Sequence, residues 1–132
     1  MRDQRDFKLL DRDNFKKEVF KRDGHRCLFC SLAAVDAHHI LERKLFEDGG
    51  YYLENGASLC EDHHMQAEQT VLSVEEIRSR AKILKPILPK NFDAKKIYDK
   101  WGNEIKEGEI IPGPLFLDQG CQRMLKSCRK IY

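Results

Sequence analysis

Along the chain, Phe15, Val19 and Phe20 fall on one helical face of "FKKEVFKRD", with Asp13 or Asn14 placed to cap its start and Gly24 to end it. A short amphipathic helix is predicted there. In "HRCLFCSLAAVDAHHI" the pattern shortens: apolar runs at Leu28 and Phe29 and from Val35 to Ile40 predict two strands joined by a turn, a β-hairpin. The next stretch, "LERKLFEDGGYYLENG", has a Gly-Gly pair and no sustained period, and so reads as an ordered loop of the long, functional sort. Helix-forming composition resumes in "SLCEDHHMQAEQTV", with a start near Cys60 or Glu61. Ser73 and Glu76 make a capping-box pattern that opens a further helix, "VEEIRSRAKIL", which the two prolines of "KPILPKNF" end. Beyond it, "YDKWGNEIKEGEIIPGPLF" mixes turn residues with short apolar runs, as a small hairpin or an irregular wrap would, and "DQGCQRMLKSCRKIY" predicts a terminal basic helix.

These elements define an α+β protein, and 132 residues with 41% hydrophobic content fit one compact module with an extension, divided at residues 1–72 and 73–132. No stretch approaches the ~18–20 apolar residues of a membrane span. The N-terminus "MRDQRDFKLLDRD" is too charged for a signal peptide, so a cytoplasmic location is expected. The net charge of +2 conceals an uneven distribution. Residues 27–72 carry two Lys/Arg against eight Asp/Glu, whereas 1–26 carry nine against six, 73–117 nine against seven and 118–132 four against one. Basic flanks can hold a phosphate backbone, although on charge alone a solvated mixed surface explains them as well.

Five cysteines cannot all pair with one another, and in a reducing compartment metal binding is the better reading. Cys27 and Cys30 make one pair with two intervening residues, and Cys60 and His63 make another thirty residues on from Cys30. Two such knuckles complete the tetrahedron that Zn²⁺ prefers and leave no open position, which makes the zinc structural. A segment of about fifty residues with a long loop buries little apolar surface and needs such a staple. Cys121 and Cys128 are remote and read as ordinary thiols on the terminal helix.

Four of the five histidines stand in two adjacent pairs, His38 with His39 and His63 with His64. Neighbouring side chains diverge on a strand or a helix, so each pair serves two purposes. With His63 on zinc, His64 points about 100° away around its helix, and Glu68 follows it at i+4 on the same face. On the strand, His38 and His39 point to opposite sides, so one can bind metal while the other handles a proton.

The words "RDGHRCLFC", "VDAHHI", the Gly-Gly loop and "ENGASLCEDHH" together resemble the HNH endonuclease family, the ββα-metal nucleases, over residues 14–70, with His39, Asn55 and His64 as the signature residues. The wording is similar to small stand-alone phage and bacterial members. The resemblance implies a zinc-stapled ββα-metal core that hydrolyses phosphodiester bonds in DNA and leaves a 3′-hydroxyl and a 5′-phosphate. It makes His39 the general base, His38 and His64 ligands of a catalytic divalent metal, and Asn55 the residue that holds the loop and orients the base. Glu68 falls where some members have a further metal-binding histidine. The fourth zinc ligand is usually Cys in the family, and His63 replaces it here. Residues 73–132 match no family pattern, which leaves target selection open.

Two imidazoles with water accept Mg²⁺ or Mn²⁺, and equally Ni²⁺ or Zn²⁺. Such a cation would also keep the adjacent His39 neutral. Asp36 shares the strand face of His38 and either orients it or faces solvent. Arg43 and Lys44 are candidates for contact with the substrate strand, or simply solvated loop charges. Tyr51 and Tyr52 more naturally pack the loop than stack on bases, His25 reads as a surface residue, and Trp101 as core. Two classes of function fit: a metal-dependent endonuclease acting as monomer or homodimer, on DNA or else on RNA, and a zinc-stabilised nucleic-acid-binding module whose nuclease site has lapsed. The knuckles suit both, whereas His38, His39, Asn55 and His64 together favour the enzyme.

Overall fold

The computed structural model describes residues 7–132; the first six residues, part of the charged N-terminus weighed above against a signal peptide, lie outside the described residues. Among the described residues the chain is a small mixed α+β protein with four α-helices and two two-stranded sheets. No described helix is long and apolar enough to cross a membrane.

Helix α1 (Arg12–Arg22) is capped by Asp11 rather than by Asp13 or Asn14: the Asp11 carboxylate accepts the Asn14 N–H at 2.8 Å. Three of the four positions 11–14 hold an Asx residue that can cap, and the outermost wins because Asp13 then lies in the first turn, where a carboxylate favours the helix dipole. Phe15 and Val19, one turn apart, are buried against strands β1 (Asp36–His39) and β2 (Gly56–Leu59). Gly56 is what lets them approach, since a Cβ there would collide with Val19 and Phe15. Beyond the helix, Arg22 grips Asp23 and donates to the carbonyls of Leu53 and Gly56, while Asp23 accepts the Ser58 N–H.

The predicted hairpin within residues 25–40 is corrected by the structure. Residues 27–30 form a turn, closed by the Cys27 N–H on the Leu32 carbonyl at 2.7 Å and by Ser31 at φ +63°, and only an Arg26–Ala33 bridge survives of the first strand. The reason is geometric: on a strand, residues i and i+3 face opposite sides about 10 Å apart, so Cys27 and Cys30 cannot converge unless the chain turns. Strand β1 instead pairs antiparallel with β2, His38 opposite Ala57 and His39 opposite Gly56. The loop between them holds two short 3₁₀ turns, Arg43–Leu45 and Leu53–Asn55.

Helix α2 (Glu61–Glu68) starts directly after Cys60, as expected, and helix α3 (Val74–Arg80) carries the full Ser73–Glu76 capping box. It ends sooner than its sequence suggested, because Lys82 turns into the left-handed region at φ +58° and the Ile83 N–H closes back on Arg78. Strands β3 (Glu104–Lys106) and β4 (Glu109–Ile111) make a tight hairpin around Glu107 and Gly108, both at positive φ. The terminal helix α4 (Gln119–Ser127) is capped by Asp118.

One buried cluster joins Cys27, Ile40, Leu41, Leu59 and Ala67 to Val74, Ile77 and Ile87 of the C-terminal half. A smaller one gathers Trp101, Cys121 and Leu125. Trp101 and Cys121 are thus core residues, and burial pushes the Cys121 thiol up to about 11.

Candidate metal centres

The first centre lies where the 27–30 turn meets the start of α2. Cys27, Cys30, Cys60 and His63 bring one donor atom each to within 4.8 Å of one another. His63 Nδ1 lies 3.5 Å from Cys27 Sγ and 3.3 Å from Cys60 Sγ, and the sulfurs of Cys30 and Cys60 are 3.6 Å apart. Zinc bonds of ~2.3 Å to sulfur and ~2.0 Å to nitrogen at tetrahedral angles put donors roughly 3.5–3.8 Å apart. The spacing suits the ion, so this Cys₃His set can hold a metal such as zinc.

Local backbone prepares the set. The Phe29 and His63 N–H groups point at Cys27 and Cys60 sulfurs at 3.4 and 3.5 Å. Burial pushes the Cys27 thiol up, but the backbone donors of Cys60, Phe29 and Cys30 outweigh it and leave the pKa lowered, toward the thiolate that ligation needs. The His63 ring is held by stacking on Phe29, whose other partner is the Arg80 guanidinium at 4.9 Å.

The second cluster is built on another face of α2. His38 from β1, and His64 and Glu68 one turn apart on α2, place donor atoms within 4.8 Å of one another. His64 Nε2 lies 3.4 Å from Glu68 Oε1 and 3.2 Å from Asp36 Oδ2, so Asp36 faces His64 rather than orienting His38. The other Glu68 oxygen is 3.3 Å from Lys100 Nζ. The hydrogen bond to Glu68 raises the His64 pKa against the pull of burial, with Asp36 adding to it. Glu68 is pushed up by burial but ends lowered, through His64 and Lys100.

His38 is fully buried, and neither ring nitrogen has a hydrogen-bond partner. Burial, reinforced by the Lys100 charge, drives its pKa well below the usual histidine range and keeps it neutral. Leaving a buried polar atom unpaired costs about 1–3 kcal/mol, and a cation shared with His64 and Glu68 would satisfy one of the two nitrogens. Two imidazoles and one carboxylate fit a divalent ion and leave coordination positions open.

His39 turns the other way. Its ring stacks on Phe15 at a centroid distance of 4.8 Å and meets the edge of Tyr51 at 4.9 Å. Its Nε2 is also unpartnered, and burial followed by the Lys100 charge lowers its pKa to about 4. Asn55 is buried beneath the loop: its Oδ1 accepts the Leu41 N–H at 2.9 Å, and its Nδ2 donates to the carbonyls of Leu41 and Gly50. It fixes the chain just beyond His39 and touches neither cluster. Lys44 pairs with Asp118, the α4 cap, at 3.0 Å, while Arg43 is exposed and close enough to His39 to add to its lowered pKa. Tyr52 is buried and bonds the Asp48 carboxylate, and His25 is exposed.

Two contributors were invisible in the sequence. Lys100 carried no motif, and Trp101, read only as core, also donates its indole N–H to the Glu68 carbonyl at 2.9 Å. No protein-family model, curated protein or solved structure matches the chain.

Proposed function

We propose that this protein is a metal-dependent endonuclease of the HNH, or ββα-metal, type. The observation that carries the reading is the division of labour across β1. His38 faces His64 and Glu68, whereas His39, its immediate neighbour, faces an aromatic cradle with a neutral, unpartnered imidazole. Hydrolysis of a phosphodiester needs both functions side by side, charge neutralisation at the phosphate and a base for the attacking water.

In this reading His38, His64 and Glu68 hold the divalent ion, Mg²⁺ or Mn²⁺ being the proposed species. When bound, that ion supplies Lewis-acid stabilisation of the charge that builds on phosphate. His39 takes the proton from the water at neutral pH. Phe15 and Tyr51 fix its ring plane, and Asn55 fixes the backbone immediately after it through Leu41. Arg43, exposed on the same side as His39, is free to meet the phosphate backbone. The Cys₃His centre holds the turn against α2 and takes no part in the chemistry. DNA is the proposed substrate, on the strength of the signature residues.

The test is cleavage of supercoiled plasmid by zinc-loaded protein with Mg²⁺ or Mn²⁺, beside a His39→Ala variant of equal zinc content and unchanged circular dichroism. Wild type should convert plasmid to nicked or linear form, and the variant should be slower by about 10²–10⁴. Failure of the wild type on plasmid, single-stranded DNA and RNA alike would favour a binding module with a lapsed site. Activity confined to RNA would correct the substrate.

A further inference from the structure

Lys100 is only 4% exposed, and its ammonium is met by Glu42 Oε2 at 2.9 Å, the His39 carbonyl at 3.2 Å and Glu68 Oε2 at 3.3 Å. Two of the ammonium's three N–H donors are taken by Glu42 Oε2 and the His39 carbonyl, and Glu68 Oε2, which has no hydrogen-bond partner of its own, lies beside it as an ion-pair partner. The three partners come from the loop after β1, from β1 itself and from α2. Lysine is among the residues least often buried, and a buried one held by carboxylates on separate elements fixes those elements relative to each other.

The turn that delivers Lys100 is itself rigid. Asp99 accepts the N–H groups of Trp101 and Asn103 and the Asn103 side-chain amide, and Asn103 in turn accepts the Gly113 N–H. The Lys100 carbonyl accepts the Glu42 N–H at 2.9 Å, so the contact runs in both directions. Lys100 takes the Glu68 side chain while Trp101 takes its backbone carbonyl. Glu68 is thereby held at both ends, and the oxygen left over, Oε1, is the one turned toward His64.

We propose that Lys100 is the positioning residue of the second metal centre, fixing one Glu68 oxygen so that the other is presented to the cation, and tethering the backbone of His39 in the same grip. The proposal rests on the metal-site half of the nuclease reading and not on cleavage itself. It assigns a role to the segment around residue 100, which the HNH resemblance does not reach. A cation merely near the site would repel a divalent ion, and its removal would tighten binding; a clamp does the reverse.

The experiment measures Mn²⁺ affinity by the electron paramagnetic resonance signal of free Mn²⁺, on the zinc-loaded full chain and four variants: Lys100→Met, Lys100→Arg, Glu68→Gln and Lys100→Met with Glu68→Gln. Loss of a group orienting a metal ligand typically costs 10–100-fold in affinity. Lys100→Met should lose that much, with little further loss when Glu68→Gln is already present, and Lys100→Arg should recover part of it. Unchanged or tighter binding in Lys100→Met, or an equal loss with and without the Glu68 carboxylate, overturns the clamp. If Lys100→Met does not fold, Lys100→Gln paired with Glu68→Gln carries the same cycle. Coupling there of threefold or more supports the clamp and none overturns it. Mn²⁺ coupling without plasmid cleavage rejects the nuclease and keeps the clamp, cleavage without coupling rejects only the clamp, and a wild type that binds no Mn²⁺ rejects both.

Discussion

The two donor clusters sit on different faces of α2, one through His63 and the other through His64, yet they are built on opposite principles. In the Cys₃His centre every donor belongs to a knuckle, residues i and i+3, and His63 with Cys27, His63 with Cys60, and Cys30 with Cys60 stand 3.5, 3.3 and 3.6 Å apart. In the second cluster the donors come from β1 and α2, two carboxylates and an ammonium crowd the same space, and His38 is left with both nitrogens unpaired. The first is a closed set of four donors that could hold a metal such as zinc. The second carries a polar group the fold does not satisfy, a cost natural structures retain where function requires it.

The contrast breaks most sharply if the first centre is emptied. Chelation, or Cys60→Ser, should abolish cooperative thermal unfolding of the chain, since structural zinc contributes on the order of 10–16 kcal/mol of apparent binding energy in small modules. Circular dichroism during a chelator titration checks it, and a melt unchanged by zinc removal would show that the apolar core suffices alone.

At the second centre the sign should reverse. In protein without second-site metal, His38→Leu replaces two unpaired buried nitrogens by an apolar side chain of similar size and should leave the fold as stable or more so, by about 1–3 kcal/mol. The same substitution should eliminate Mn²⁺ binding there. A strongly destabilised His38→Leu would mean that the ring has partners in solution, and the two centres would then be more alike than described.

A further effect comes from acid. The unfolded chain takes up a proton on His39 as pH falls below about 6.5, whereas the folded protein resists until about 4. Between those values the unfolded state binds more protons, so stability falls with falling pH, by up to about 1.4 kcal/mol per pH unit from this one residue. His38 acts in the same direction. His64, with its raised pKa, acts in the other, adding stability below about 6.5 that is lost as pH rises through its folded value. Denaturant midpoints of wild type and His39→Gln should therefore diverge on acidification, the variant losing less. Parallel curves would place the His39 ring in water.

What the sequence disclosed follows the same division between near and far. The knuckles, the Ser73 capping box and the opposed directions of adjacent histidines are local relations, legible because spacing alone fixes them. The strand expected at Leu28 and Phe29 was misread because their β-forming side chains sit between two ligands that force a turn. The true partner of β1 begins at Gly56, and Lys100 reaches Glu42 across 58 residues; nothing local encodes either pairing. Asn55 lay between: its letter was readable, but its hold on Leu41 and Gly50 required the loop to close.

The register of β1 against β2 also settles a question of spelling. Two identical letters in a row carry no information about their own order, so "HH" cannot by itself say which histidine serves which face. The flanking letters and the facing strand supply it. A slip of one residue would bring Ile40 to the position where His39 meets Phe15, leaving an imidazole beside His64 and Glu68 but a hydrocarbon in the aromatic cradle. Gly56, the one residue opposite His39 small enough to admit Phe15 and Val19, works as the punctuation mark that fixes the reading frame.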